Sequence, residues 1–244
     1  VCPLIFIHTI DGYLRQYLGV SQLDSLSAAD WLSFSEHRLL ALSSASIFHD
    51  DLGLAGRLEP LRFYPEAVRG YLLASNWSLI AEEQAFVRRC ADVGDEAGSI
   101  LICARITERL MRLYFLYRGQ YAPYSKWFGT AFLRLDGDEA LKESILCALT
   151  ARSIDEREER LVRAQSLMAQ YHNSQGLTEP VDASVRDYFG RRIKVIFADR
   201  IAELLRRSLT DPVLGRCPLI GALSGVANFT VLSDPPKYRE HVKN

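Results

Sequence analysis

Three arginines define the chemistry this chain could do. Arg105, Arg109 and Arg112 stand at i, i+4 and i+7, which places them on one face of a helix. The run that carries them, Ile100 to Tyr117, is apolar on nearly every other side: Leu101, Ile102, Ile106, Leu110, Met111, Leu113, Phe115. A helix apolar nearly all round is buried, and arginine is almost never fully buried unless paired. Two answers to the stripe are open. Glu82, Glu83, Glu96 or Glu108 can pair with it in ion pairs that do no catalysis. Alternatively Arg105 and Arg109, with Arg112, clamp an anionic ligand, because guanidinium forks suit phosphate and carboxylate oxygens.

A second constellation surrounds Lys126, with Tyr121, Tyr124, Trp127 and Phe128 close in sequence. Aromatic rings around a cation can form a ligand floor by stacking and cation–π contact. Packing is the plainer role for Trp127, with the lysine reaching outward. Candidate carboxylates are Glu83, as a general base if partly desolvated, and Asp95, as a base or as a helix cap. Glu82 and Glu83 are adjacent, hence about 100° apart on a helix, and cannot both face one site. His172 closes a predicted helix, where the dipole favours a cation. His8, His37, His49 and His241 show no metal spacing, so no metal site is expected. There is no nucleophile elbow, no phosphate-binding loop and no dinucleotide glycine fingerprint.

The elements that must position these groups are mostly helices. The expected fold class is mainly α, a multi-helix bundle with two short β-strands at about 3–9 (PLIFIHT) and 193–197 (IKVIF), each the other's only obvious partner. Thr9 or Asp11 starts a helix to about Leu18, and Ser27 and Ser35 cap two more. Asp50 to Pro60 reads as a loop. Pro65 opens a long helix to about Asp92, ended by Gly94. Asp95 caps the arginine helix, which ends near Gly119. Pro123 turns into an aromatic-rich helix ending before Asp136. Helices follow at about Glu139–Ala151, Asp155–His172 and Ala198–Leu209.

Length and composition narrow the class. With 244 residues and 48% hydrophobic residues the chain can build a large core. A net charge of −1 with scattered signs argues against nucleic acid as a partner. No apolar run is long enough to span a membrane. Five dispersed cysteines without a CxxC pair suggest a reducing, cytoplasmic setting. A first residue of Val1 reads as the start of a fragment.

The run AEEQAFVRRCADVGDEAGSILICARITERLMRLYFLYRGQYAPYSKWFGTAF resembles the centre of a bacterial family, domain of unknown function 4037. FYPEAV before it, HNSQGLTEP after it, Ala29-Asp30-Trp31-Leu32 and Phe48-His49-Asp50 extend the likeness. Two places depart from the family's tendency: Arg88-Arg89-Cys90, and Gly190-Arg191-Arg192-Ile193 in place of a glycine-arginine-proline-phenylalanine. The resemblance implies a nucleotidyltransferase-like protein whose N-terminal domain carries a glycine-serine motif and acidic metal ligands, followed by a helical C-terminal part. This chain lacks that motif. Residues 1–20 are then expected to be the remnant strand and helix of the preceding domain, 21–233 the helical domain, and 234–244 a flexible tail.

The implied function is an acceptor-binding C-terminal domain, catalytically incomplete by itself. Nucleotide and Mg would belong to the full-length protein and no cofactor to this fragment. A small-molecule acceptor and the missing N-terminal domain are the implied partners, with a homodimer as a further option. Arg105, Arg109, Arg112, Tyr124, Lys126 and Trp127 are the expected anion or acceptor contacts, with Glu83 and Asp95 as base or structural partners. The alternative is a non-enzymatic helical binding or dimerisation module in which every arginine is answered by an acid of the chain.

Overall fold

A computed structural model describes residues 5–226. These divide into two compact units, one of residues 5–65, 121–128 and 222–226, the other of residues 66–120 and 129–221.

The first unit is built from short capped helices around an aromatic core. Thr9 Oγ1 accepts the Gly12 N–H (3.1 Å) and starts α1 (Ile10–Leu18), and Gly19 at φ 81° ends it. Ser27 and Asp30 form a reciprocal capping box at α2 (Ala28–Ser33). α3 (Glu36–Ser43) follows Ser35. The stretch read as a loop from Asp50 to Pro60 contains α4 (Leu54–Leu58) and a 3₁₀ turn at Glu59–Leu61. The Asp50 carboxylate accepts the N–H groups of Leu54 and Ala55, a side-chain cap four residues away. Trp31, Phe34, Tyr64 and Tyr121 are buried, and the Tyr64 and Tyr121 rings meet edge-to-face at 4.8 Å. The Tyr121 hydroxyl donates to the Leu61 carbonyl (3.1 Å), and burial raises its pKa.

The second unit packs long helices. α5 (Glu66–Glu83) stops short of Asp92, where a single helix was expected to end. Gln84 and Ala85 interrupt it, and α6 (Phe86–Arg89) and a 3₁₀ turn at Cys90–Val93 follow. Gln84 turns its side chain to the Ala81 carbonyl and to the Ala198 N–H, a tertiary tie that no Gly or Pro announces. Gly94 (φ 69°) then hands over to Asp95, whose carboxylate accepts the Gly98 N–H (2.7 Å) and caps α7 (Glu96–Tyr117). The second half of α7, Leu110 to Tyr117, is buried throughout, while Ile100 and Leu101 in its first half are exposed. Arg69 donates to the carbonyls of Leu116 (3.0 Å) and Tyr117 (3.2 Å) and closes its end. α8 (Ser125–Arg134) begins in the first unit and ends in the second. The buried Lys142, from α9 (Glu139–Leu149), caps α8 through the carbonyls of Leu133 and Leu135. α10 (Ile154–Ser174) packs on α9 and α7. Between α7 and α9 the buried Cys103 thiol faces Thr107 and the Ala148 carbonyl, and burial raises its pKa.

The sheet corrects the strand pairing. β2 (Arg191–Val195) pairs antiparallel with β1 (Arg186–Tyr188), not with the chain start. Residues 5–9 form no strand and are exposed; residues 3–4, and the tail at 234–244, lie outside the described residues. The hairpin seats Ile193 and Val195 against Ala85, with Tyr188 and Phe197 beside them. α11 (Asp199–Arg207) lies on α5, and α12 (Leu223–Val226) belongs to the first unit, where Ser224 Oγ accepts the Glu36 N–H (2.8 Å). The fold is mainly α with one two-stranded sheet among the described residues. No described helix is long and apolar enough to cross a membrane.

Candidate functional site

The arginine stripe is answered by acids of the same unit. Arg105 Nε and Nη2 grip Glu83 at 3.0 and 2.5 Å, although the arginine side chain is 52% exposed. Arg112, buried, places Nε and Nη2 on Glu108 Oε1 at 3.0 and 2.9 Å, one turn back on α7. Arg109 lies between them, half-buried. Desolvation and the neighbouring Arg112 lower its pKa, while Glu108 and Glu83 act in the opposite sense. Glu83, Glu108 and the three guanidiniums thus form one ribbon along α7. Glu82 is exposed. Asp95 is the α7 cap, about 15 Å of helix rise before Arg105.

Glu96 answers a different arginine, one that the sequence did not single out. Arg157 of α10 is buried and donates to Glu96 Oε1 (2.6 Å) and to the buried Ser99 hydroxyl (2.9 Å). It ties α10 to the first turn of α7.

In the first unit Tyr124, Lys126 and Trp127 do come together. Trp127 Nε1–H donates to the Tyr124 hydroxyl (3.1 Å), and Lys126 Nζ stands 5.2 Å from the centre of the indole ring. Trp127 is 50% exposed, so packing does not account for it. The polar link to Tyr124 fixes the ring from below, and α8 has turned its first residues to solvent. His37 meets the edge of Tyr124 at 6.0 Å and pairs through Nδ1 with the Ser35 hydroxyl (2.8 Å). Burial and Arg38 lower the His37 pKa. The result is a fixed aromatic surface with a cation and a histidine at its margin. His37 was legible only as a histidine without metal spacing.

His172 has a different role from the one its position at a helix end suggests. It is fully buried. Trp77 Nε1–H donates to the Tyr117 hydroxyl (2.8 Å), which passes its own proton toward His172 Nδ1 (2.9 Å). The Thr178 hydroxyl gives its proton elsewhere and so accepts from His172 Nε2–H (2.9 Å), which in the neutral ring leaves Nδ1 as the acceptor. Thr178 donates on to the Glu179 carbonyl (3.0 Å). Burial pushes the His172 pKa down to about 4, so the ring is neutral and the helix dipole is not the reason for it.

One groove was not foreseen. About 630 Å³ in volume, it runs along α10 between Val162, Leu167 and Val185, with Glu158, Arg163 and Lys194 at its margins. Glu158 accepts the Lys194 N–H (2.8 Å), and partial burial raises its pKa. The charged start of α10 is visible in the sequence, but Val185 and Lys194 reach the groove through the β1–β2 pairing, which the sequence does not announce. Among the described residues no group of three or more His, Cys, Asp or Glu is placed to hold a metal ion.

Residues 31–128 match the model of a family described as a domain of unknown function (DUF4037). This stretch is similar to DUF4037. The DUF4037 match spans α2 through the first residues of α8, so it includes the arginine ribbon and the Trp127 surface and leaves out the α10 groove and the hairpin. No curated protein matches the chain, and no solved structure does.

Proposed function

We propose that this chain is the helical, acceptor-binding part of a nucleotidyltransferase-like protein and is not catalytically complete by itself. The observation that supports the reading is the Trp127 surface. A half-exposed indole, fixed by Tyr124 and topped by Lys126, suits a ring-bearing acceptor with an anionic or hydroxyl substituent. It falls within the DUF4037 match. Metal and nucleotide under this reading belong to another domain of a full-length bacterial protein. The four cysteines among the described residues are free, which suits a cytoplasmic setting.

The test uses the full-length protein. Nucleotide, Mg²⁺ and acceptor binding are measured by calorimetry for wild type, Lys126→Ala and Trp127→Ala. The reading expects nucleotide binding to survive both substitutions, acceptor binding to weaken, and thermal stability to stay unchanged. Nucleotide turnover by residues 1–244 alone overturns it, as does unchanged acceptor affinity with a lowered melting temperature.

A second reading, a non-enzymatic helical binding or dimerisation module, is favoured by the Glu83–Arg105 and Glu108–Arg112 pairs. These carboxylates already meet the cations that an anionic substrate would need. Absence of nucleotide and Mg²⁺ binding in the full-length protein selects this reading.

A further inference from the structure

At the tip of the β1–β2 hairpin an aromatic side chain stands where turn geometry and burial both argue against it. Phe189 and Gly190 form the two-residue turn, with φ 48° and 73°. A turn with two left-handed residues matches the twist of the flanking strands and favours Asn, Asp or Gly at its first position. A bulky residue there is a conformational outlier. Burial does not offset it, since Phe189 is 77% exposed.

The ring is nevertheless held. It meets Tyr188 edge-on at 4.7 Å and Phe197 at 5.7 Å. Phe197 is itself left-handed at φ 54°, and the Arg200 guanidinium lies 5.2 Å from its ring centre. Three rings form a step whose outermost member faces water.

The charges around this step are unbalanced. Between Asp182 and Arg200 there are five basic and three acidic residues. Arg186 is taken by Asp182, and Lys194 by Asp187 (2.7 Å). Arg191, Arg192 and Arg200 are exposed and make no ion pair with any described residue. Guanidiniums favour phosphate oxygens, and an open aromatic face favours a flat heterocycle. A partner offering both, in a form whose bases are free to leave their neighbours, is a single-stranded polynucleotide. A duplex keeps its bases stacked. A lipid surface would find only one fully exposed ring here to insert.

We propose that the hairpin tip binds single-stranded nucleic acid, with a base stacked on Phe189 and adjacent phosphates on Arg191, Arg192 and Arg200. The near-neutral charge of the whole chain is no obstacle, because the footprint is a few nucleotides wide. The proposal is independent of the acceptor reading, which rests on the other unit.

The test is fluorescence anisotropy of a labelled twelve-nucleotide oligo-dT or oligo-U with the full chain at rising KCl. Affinity should fall with salt with a log–log slope of about −2, the value for roughly three phosphates on a single strand. Phe189→Leu, which keeps an apolar tip without a stacking face, should weaken binding about tenfold. Phe189→Gly should weaken it as much while raising the melting temperature, since glycine is at ease at positive φ. Arg192→Ala should make the slope shallower by about 0.7. No oligonucleotide binding at low salt overturns the proposal. So does unchanged affinity in Phe189→Leu and Phe189→Gly, or partition onto phosphatidylserine vesicles in place of the oligonucleotide.

Discussion

Arginine occurs in two settings in the larger unit. Three arginines of α7 and α10 are met by an acid of the chain: Arg105 by Glu83, Arg112 by Glu108, Arg157 by Glu96. Arg191 and Arg192 at the hairpin tip and Arg200 at the start of α11 make no ion pair with any described residue. Solvent access accounts for the buried Arg112 and Arg157, whereas Arg105 pairs although half of it is in water. A guanidinium drawn into a helix seam loses water and must be given a carboxylate in exchange. One at an exposed turn keeps its hydration and is left available. Two of the arginines singled out by their spacing are paired within the chain, whereas those in an unremarkable polar run make no ion pair with any described residue.

The largest expected effect that would test this contrast is at Arg157. Arg157→Ala removes a buried cation from Glu96 and strands the fully buried Ser99 hydroxyl. It should cost about 4 kcal/mol in urea unfolding. A loss under 1 kcal/mol would mean that burial does not separate the two settings.

Acid should act next, through His172. Its pKa is about 4 in the folded chain, against about 6.5 unfolded. The unfolded state binds the extra proton first, so this contribution to stability is whole above pH 6.5 and is lost as pH falls toward 4. The loss is on the order of 3 kcal/mol, from 1.36 kcal/mol per pKa unit. Urea midpoints between pH 7 and 4 should show it, and His172→Phe should flatten that slope. An equally steep slope in the variant would place the acid sensitivity elsewhere.

Arg105→Ala comes third. Half of this side chain is in water, so its bidentate pair with Glu83 should contribute less than about 1 kcal/mol. A loss above 2 kcal/mol would move Arg105 into the buried class. The smallest change is expected for Arg192→Ala, within about 0.5 kcal/mol, as for a surface substitution away from special features. A larger drop would show that the tip arginines hold the fold and are not free.

What the sequence made legible was local. Thr9, Ser27, Asp95 and Gly94 each punctuate a helix through a bond or a φ angle set within four residues, and the apolar period of α7 marks its buried half. The ribbon was legible as a choice: Glu83 and Glu108 meet the stripe, and Glu96 goes to Arg157. What stayed hidden depends on distant chain. Arg186-Asp187-Tyr188 has no apolar alternation, because β1 exposes most of its surface, so the apolar stretch at the chain start looked the better partner. The break after Glu83 comes from Gln84 reaching Ala198, a contact across more than a hundred residues. Trp127 reads as core because tryptophan usually is, and only the folded chain shows its ring turned outward and bonded to Tyr124.

The Cys103 thiol gives the protein a built-in clock. It lies closed in the seam of α7 and α9, against Thr107 and the Ala148 carbonyl. An alkylating reagent reaches it only when that seam parts, whereas Cys90, Cys147 and Cys217 are partly open. With those three and Cys2 replaced by serine, the modification rate at Cys103 counts how often the larger unit breathes.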